Sequence, residues 1–157
     1  MIRDARLDDV PAMRELINSY AELGRMLFRS LSHLYESLRD FKVWEAGGQV
    51  VGCCALQVLW ADLAEIKSLA VKEGFQGKGI GKALVINQIE QARQLKVPRI
   101  FTLTLEPVFF EKLGFKQVEK AQLPMKVWSD CFRCCKQDKC DEIAMIYDIK
   151  SLLSGIS

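Results

Sequence analysis

Residues 64–82 read AEIKSLAVKEGFQGKGIGK, and the fold is decided by how this stretch divides. Its first eight residues, with Ile66, Leu69, Ala70 and Val71 as apolar content, predict a buried strand. Gln76-Gly77-Lys78-Gly79-Ile80-Gly81 predicts a tight turn. From Ala83 onward Leu84, Val85, Ile86 and Ile89 recur at helical spacing. Glycines at alternate positions take away the Cβ atoms that would hold a ligand off the backbone. A helix starting there aims N–H groups without intrahelical acceptors, and its positive dipole end, at the same point. Such a place suits a phosphate or pyrophosphate.

Three nucleotide-binding patterns compete for the turn. A Walker A loop ends in Gly-Lys-Ser/Thr after Gly and four residues. Gly81-Lys82 would then need glycine at 76 and a hydroxyl at 83, where the chain has Gln76 and Ala83. The dinucleotide pattern G-x-G-x-x-G fails by one residue, since the third glycine comes early. Q-x-x-G-x-G fits without adjustment at Gln76, Gly79 and Gly81. After a strand ending in Leu-Ala-Val, that pattern resembles the acetyl-CoA pyrophosphate loop of the GNAT superfamily of N-acetyltransferases. The bland alternative is a Gly-rich turn that binds nothing.

The bulk numbers set limits. At 157 residues the chain is expected to form one domain, 1–157. Half of its residues are hydrophobic and 27% are charged, as in an ordinary globule. A formal net charge of +2 is too small to argue for a nucleic-acid or membrane partner. The start, Met1-Ile2-Arg3-Asp4-Ala5-Arg6, runs into polar sequence and does not resemble a signal peptide, and no apolar run approaches a membrane span. A cytoplasmic location follows, with the six cysteines as thiols or metal ligands, not disulfides. A homodimer stays open.

In chain order, the sequence predicts a first strand over Met1–Arg6 and a helix over Asp9–Tyr20, capped by Asp8. Val10, Met13, Leu16, Ile17 and Tyr20 form that helix's apolar stripe. A second helix over Leu31–Arg39 is capped by Ser30. Strands at Phe41–Ala46 and Gln49–Trp60 flank the hairpin turn Gly47-Gly48. The glycine-turn helix leads to a strand at Arg99–Leu105, then a short helix over Pro107–Leu113 stopped by Gly114. Strands at Phe115–Glu119 and Ile143–Ile149 enclose a further short helix over Pro124–Cys135. This order resembles the GNAT fold along nearly the whole chain. The fold so implied is mixed α/β, with a mostly antiparallel central sheet of about seven strands. Helices flank it, and it is splayed between the fourth and fifth strands. Phe109-Phe110-Glu111-Lys112-Leu113-Gly114-Phe115 resembles a second superfamily signature.

Shorter segments are similar to the acetyltransferase domain of bacterial N-acetylglutamate synthase. They are Phe28-Arg29-Ser30, Val51–Leu56, Ala64-Glu65-Ile66, Ile100–Thr104 and Leu123-Pro124. The chain has no room for the kinase domain of the long synthases and resembles the short, stand-alone form. That implies loss of the usual arginine feedback site.

Attack of a neutral amine on a thioester needs a base, an oxyanion donor, an acid for the leaving thiolate and a grip on the acceptor. The resemblance makes Glu65 the base; an ordinary reading is an ion pair with Lys67, since strand alternation puts 65 and 67 on one face. It implies a main-chain N–H near Leu69 as oxyanion donor, with pantetheine running beside Leu69, Ala70 and Val71. Pyrophosphate would lie on Gln76, Gly77, Lys78, Gly79, Ile80, Gly81 and Lys82. Many GNAT members carry tyrosine where this chain has Phe110, so Thr104 becomes the candidate acid; a β-branched strand residue is the alternative. Arg29 matches the synthase arginine that holds a glutamate carboxylate, a pairing suited to a guanidinium fork. Lys67 adds positive charge. Against glutamate stands Glu106, where synthases often place a second arginine.

Cys53 and Cys54 sit in an apolar strand and are expected to include inert core. Cys131-x-x-Cys134, with Cys140 as a third ligand, has a metal spacing but lacks a second well-separated pair. Plain thiols are preferred and no metal is expected. The resemblance thus implies an acetyl-CoA-dependent N-acetyltransferase acting by direct transfer in a ternary complex. Its acceptor would be the α-amine of L-glutamate, the first step of arginine synthesis. The alternatives are another small amine or amino acid, and a non-catalytic acetyl-CoA sensor.

Overall fold

The structure is a computed structural model. It describes residues 1–24, 26, 29–123 and 142–149. The strands are β1 (Ile2–Asp4), β2 (Phe41–Ala46), β3 (Gln49–Trp60), β4 (Leu63–Val71), β5 (Arg99–Thr104), β6 (Lys116–Val118) and β7 (Ile143–Asp148). The helices are α1 (Val10–Glu22), α2 (Leu31–Glu36), α3 (Ile80–Gln94) and α4 (Pro107–Glu111). All seven strands belong to one sheet in the order β1-β2-β3-β4-β5-β7-β6. It is mixed and mostly antiparallel. The β4–β5 pair is parallel, and its register covers only Ala64 with Ile100 and Glu65 with Phe101.

By contact the chain divides into two compact units, Met1–Gln57 with Ile66–Gln91, and Val58–Glu65 with Ala92–Ser157. In the first, the apolar stripe of α1 (Val10, Met13, Leu16, Ile17) packs on Leu34 of α2 and on Phe41, Val43, Cys53, Ala55 and Ala70 of the sheet. The Gly47-Gly48 turn takes φ of +57° and +78°, the pair that a two-residue hairpin of matching twist demands. Gly52 is needed for a different reason. A Cβ there would lie 3.0 Å from Ile80 Cγ2 and 3.1 Å from Leu84 Cδ1, so α3 seats directly on bare backbone of β3. Gln88, buried on α3, donates from Nε2 to the carbonyls of Cys54 (2.7 Å) and Asp40 (3.0 Å).

In the second unit, β5 pairs with β7 from Arg99–Asp148 to Thr104–Ile143, and β7 pairs with β6. Leu63, Phe101, Leu123 and Ala144 form its buried centre. Gly114 closes α4 with φ of +101°, as a C′ glycine should.

Several boundaries differ from the sequence expectation. The first strand is shorter, because Arg6 already caps a 3-10 turn at Leu7–Asp9. The residue preceding α1 is Asp9, not Asp8, and its side chain does not cap the helix. The carboxylate is taken by the Arg3 guanidinium at 2.7 and 2.9 Å and by the Arg6 N–H at 2.7 Å. The second helix stops at Glu36, and a 3-10 turn at Leu38–Asp40 completes the predicted span. Ser30 does cap it, accepting from the His33 N–H at 3.1 Å. The predicted helix over 124–135 lies outside the described residues.

The Arg3 bond holds the Asp9 carboxyl below the usual carboxylate range, more than burial raises it. A carboxyl with a depressed folded pKa stabilises above its unfolded pKa, and that contribution is lost as pH falls through the folded pKa. Asp9→Asn is therefore expected to cost about 2 kcal/mol at pH 7, the worth of charge-assisted bonds. The gap to wild type should close as pH drops below the ordinary carboxylate range. Urea melts of both proteins from neutral to acid pH measure it; a gap independent of pH would contradict the assignment.

Candidate active site

The glycine turn stands at the start of α3. Gly74, Gly77 and Gly79 take φ of +91°, +78° and +84°, which β-carbon-bearing residues resist. A Cβ on Gly77 or Gly79 would meet no protein atom within 4 Å, so the backbone there borders open space. The Ala83 N–H closes the first helical turn on the Gly79 carbonyl at 3.0 Å. The N–H groups of Ile80, Gly81 and Lys82 precede that bond and have no intrahelical acceptor. They form a cradle of donors at a helix start, of the kind that suits a phosphate. The helix thus begins at Ile80, three residues before the expected Ala83, so Ile80 and Gly81 belong to its first turn and not to a separate loop. The Ile80 side chain is buried and offers only its main chain to a ligand. Lys78 Nζ lies 5.4 Å from the centre of the Phe75 ring.

The turn is preceded in the chain by the C-terminal half of β4, past its short register with β5. Lys72 donates its N–H to the Val51 carbonyl at 2.7 Å. By the alternation of an antiparallel ladder, the main chain of Ala70 also faces β3, and that of Leu69 and Val71 faces the other way. Ala70 is accordingly the exception among the three predicted pantetheine contacts: its side chain is buried in the core and its main chain is turned to β3. Just before it, Ser68 takes φ of +54° in mid-strand, a left-handed conformation rare for serine. The kink is buried, and Cys53 Sγ donates to the Ser68 carbonyl at 3.5 Å. Leu69, the predicted oxyanion donor, follows it directly in the chain.

Gln76, the first residue of the pattern, does not point at open space. Its Nε2 donates to the Tyr20 hydroxyl at 2.9 Å and to the Val71 carbonyl at 3.1 Å. Tyr20 was expected only as part of the apolar stripe of α1.

The proposed acceptor-side residues of the first unit are Arg29 and Lys67. The Arg29 N–H donates to Asn18 Oδ1 at 3.2 Å, tying the entrance of α2 to α1. Lys67 acts electrostatically on Asp40: burial pushes the Asp40 carboxyl up and the Lys67 charge opposes it. Asp40, His33, Arg39 and Gln57 line an open groove of about 590 Å³ that carries both charge signs. Asp40 has no motif around it in the sequence, because its separation from Lys67 along the chain hides their proximity in the fold.

In the second unit Glu65 is 9% exposed and stands opposite Phe101 in the parallel register. Thr104 Oγ1 accepts the Glu106 N–H at 2.8 Å, which leaves the hydroxyl proton for another acceptor. Glu106 itself is exposed before α4. Phe110 is buried, edge-on to Phe109 and Phe115 at 5.0 and 5.1 Å between ring centres, and can supply no proton. Burial pushes the Cys53 thiol up to about 12 and holds Cys54 well above its ordinary value, so neither is a nucleophile. Among the described residues no group of His, Cys, Asp and Glu could hold a metal. The Cys131, Cys134 and Cys140 cluster lies outside them.

Residues 37–117 match the acetyltransferase (GNAT) domain family. The chain belongs to the GNAT acetyltransferases. Among its relatives is an uncharacterized N-acetyltransferase of Chlorobaculum tepidum, 45% identical over 92% of this chain and 94% of that one. An amino-acid acetyltransferase of Mycobacterium tuberculosis is 41% identical over 85% of this chain and 78% of its own. Among solved structures, a synthase from Neisseria gonorrhoeae complexed with coenzyme A and N-acetyl-glutamate aligns at a TM-score of 0.86 with 29% identity. The alignment covers 95% of this chain and 35% of that one, so the GNAT chain spans about a third of the synthase. A Mycobacterium tuberculosis protein in complex with CoA aligns at 0.82 with 35% identity, over 94% and 98% of the two chains. This GNAT protein is thus an acyltransferase of the amino-acid acetyltransferase kind, with acetyl-CoA as co-substrate. Among the described residues no helix is long and apolar enough to cross a membrane.

Proposed function

We propose that the protein transfers the acetyl group of acetyl-CoA directly to the α-amine of L-glutamate, in the cytoplasm, as the entry to arginine synthesis. One observation carries the reading: a glycine cradle at the start of α3 in a chain built like a synthase solved with N-acetyl-glutamate. The diphosphate binds the N–H groups of Ile80, Gly81 and Lys82. The Leu69 N–H, next to the Ser68 kink, polarises the thioester carbonyl. Glu65 takes the ammonium proton, directly or through a water, and the freed amine attacks. Thr104 hands its hydroxyl proton to the leaving sulfur and takes the one that the acetylated nitrogen sheds as the adduct collapses, so no alkoxide remains. Arg29 and Lys67 bind the carboxylates of the acceptor. The residues form a single functional domain over 1–157.

The test is CoA release from purified protein across a panel of amino acids. Glutamate should be the preferred acceptor, and Arg29→Ala should raise its KM about tenfold or more, the loss of one charged bond, with acetyl-CoA KM unchanged. Preference for another amino acid would move the assignment to a different acceptor within the same chemistry. Phe110, buried among aromatic rings where relatives have tyrosine, favours one rival, a sensor that binds acetyl-CoA without turnover. Acetyl-CoA binding with no turnover on any amine would establish that rival.

A further inference from the structure

The hydrogen bonds of Val71 are met from within the chain. The Tyr20 hydroxyl donates to the Val71 carbonyl at 3.0 Å and accepts the Val71 N–H at 3.2 Å. It also accepts Gln76 Nε2 at 2.9 Å. Its one donor and both acceptor lobes are in use. The Val71 carbonyl receives a second bond from Gln76 Nε2 at 3.1 Å, so both of its lone pairs are filled too. These are the main-chain groups that β4 turns away from β3, on the edge along which the pantetheine arm is proposed to run. A pantetheine amide cannot pair with Val71 while the phenol holds both groups. When the phenol leaves, the N–H and one carbonyl lobe open together, at the spacing one strand residue offers to a neighbouring amide.

We infer that the Tyr20 hydroxyl is a place-holder for the pantetheine amide: it occupies Val71 in the free enzyme and must be displaced for coenzyme A to bind. The inference rests on the proposed course of pantetheine along β4. Filling Val71 internally keeps the cradle edge ordered without cofactor, and it lowers cofactor affinity by the net worth of the bonds given up. Tyr20 is thus a positioning residue that acts through Val71 and never touches the reacting atoms. Gln76, bonded to the Val71 carbonyl independently of the phenol, can stay in place as Tyr20 leaves.

Calorimetry on wild type and Tyr20→Phe tests this with two ligands, coenzyme A and adenosine 3′-phosphate 5′-diphosphate, which has the diphosphate and no pantetheine. Phenylalanine keeps the ring that packs on the core and removes only the hydroxyl. Coenzyme A should bind about two- to tenfold tighter to the variant, the range of one net hydrogen bond. The nucleotide should bind both proteins alike. In steady state the KM for acetyl-CoA should fall with the acceptor KM unchanged. Weaker binding of coenzyme A to the variant would overturn the inference, as would unchanged binding or an equal shift for both ligands. A wild type that binds the nucleotide but gains nothing from pantetheine would refute the proposed course along β4. A wild type that binds neither ligand would refute the proposed cradle. Thermal melting of the variant confirms that it is folded.

Discussion

Glu65→Gln is expected to lower kcat for acetyl transfer by about 100- to 10,000-fold, the span that removal of a general base covers. The substitution keeps shape and size and removes the charge, so coenzyme A affinity and the thermal midpoint should stay near wild type. The acceptor KM should also change little, because the proposed carboxylate grip belongs to Arg29 and Lys67. A loss in kcat without a loss in binding separates a base from a residue that merely lines the site. The competing reading makes Glu65 a structural ion-pair partner of Lys67 on the same strand face. Under it, Glu65→Gln would destabilise the fold and spare turnover. Stopped-time assays of CoA release, with calorimetry on the same preparation, decide between them. Full activity in the glutamine variant would remove Glu65 from the mechanism.

How far this site can be read from the chain depends on whether local spacing or tertiary context sets each residue. The Gly47-Gly48 hairpin and the strands at 41–46 and 49–60 follow from composition and period, and the structure has them at the expected positions; the glycine turn stands at its expected place but gives its last two residues, Ile80 and Gly81, to the helix. The signal there is local: a positive φ wants glycine, and alternation wants a half-buried strand. Ser68 shows where local signal ends. Nothing about serine in an apolar strand announces a left-handed φ, and such a conformation persists only where the surrounding structure holds it. Asp8 and Asp9 show a subtler failure. Both are good cap residues, but Arg3, six residues upstream of Asp9, claims the Asp9 carboxylate with its fork and leaves the residue at the cap position without a capping side chain.

Tyr20 and Gln88 were hidden by their own patterns. Tyr20 falls on the apolar stripe of α1, and its ring does pack there. Its hydroxyl then reaches a strand fifty-one positions away in sequence. Gln88 lies among apolar residues on α3, and nothing in its spacing tells that it is buried and bridges the carbonyls of Asp40 and Cys54. In each case an amphipathic side chain does one thing with its stem and another with its tip. Periodicity counts the stem and cannot see the tip.

Gly79→Val is expected to abolish coenzyme A binding while leaving a folded protein. At φ of +84° a valine suffers the left-handed penalty, about 1–2 kcal/mol and more for a β-branched residue. No protein atom within 4 Å would meet its Cβ, so the fold itself loses only that strain. The cofactor loses much more. Relief of the strain rotates the backbone at the helix start and turns the cradle N–H groups off the diphosphate. Two charge-assisted bonds of about 1.5–3 kcal/mol each correspond to at least a hundredfold in affinity. Gly74→Val is the control, because Gly74 has a similar φ of +91° and equally open surroundings but lies before the cradle. It should show the same fall in melting temperature and keep coenzyme A affinity within about threefold. If both variants lost the cofactor equally, general strain would explain the loss. If neither did, the diphosphate would bind elsewhere, and the role proposed for the Leu69 N–H would lose the anchor that brings the thioester to it.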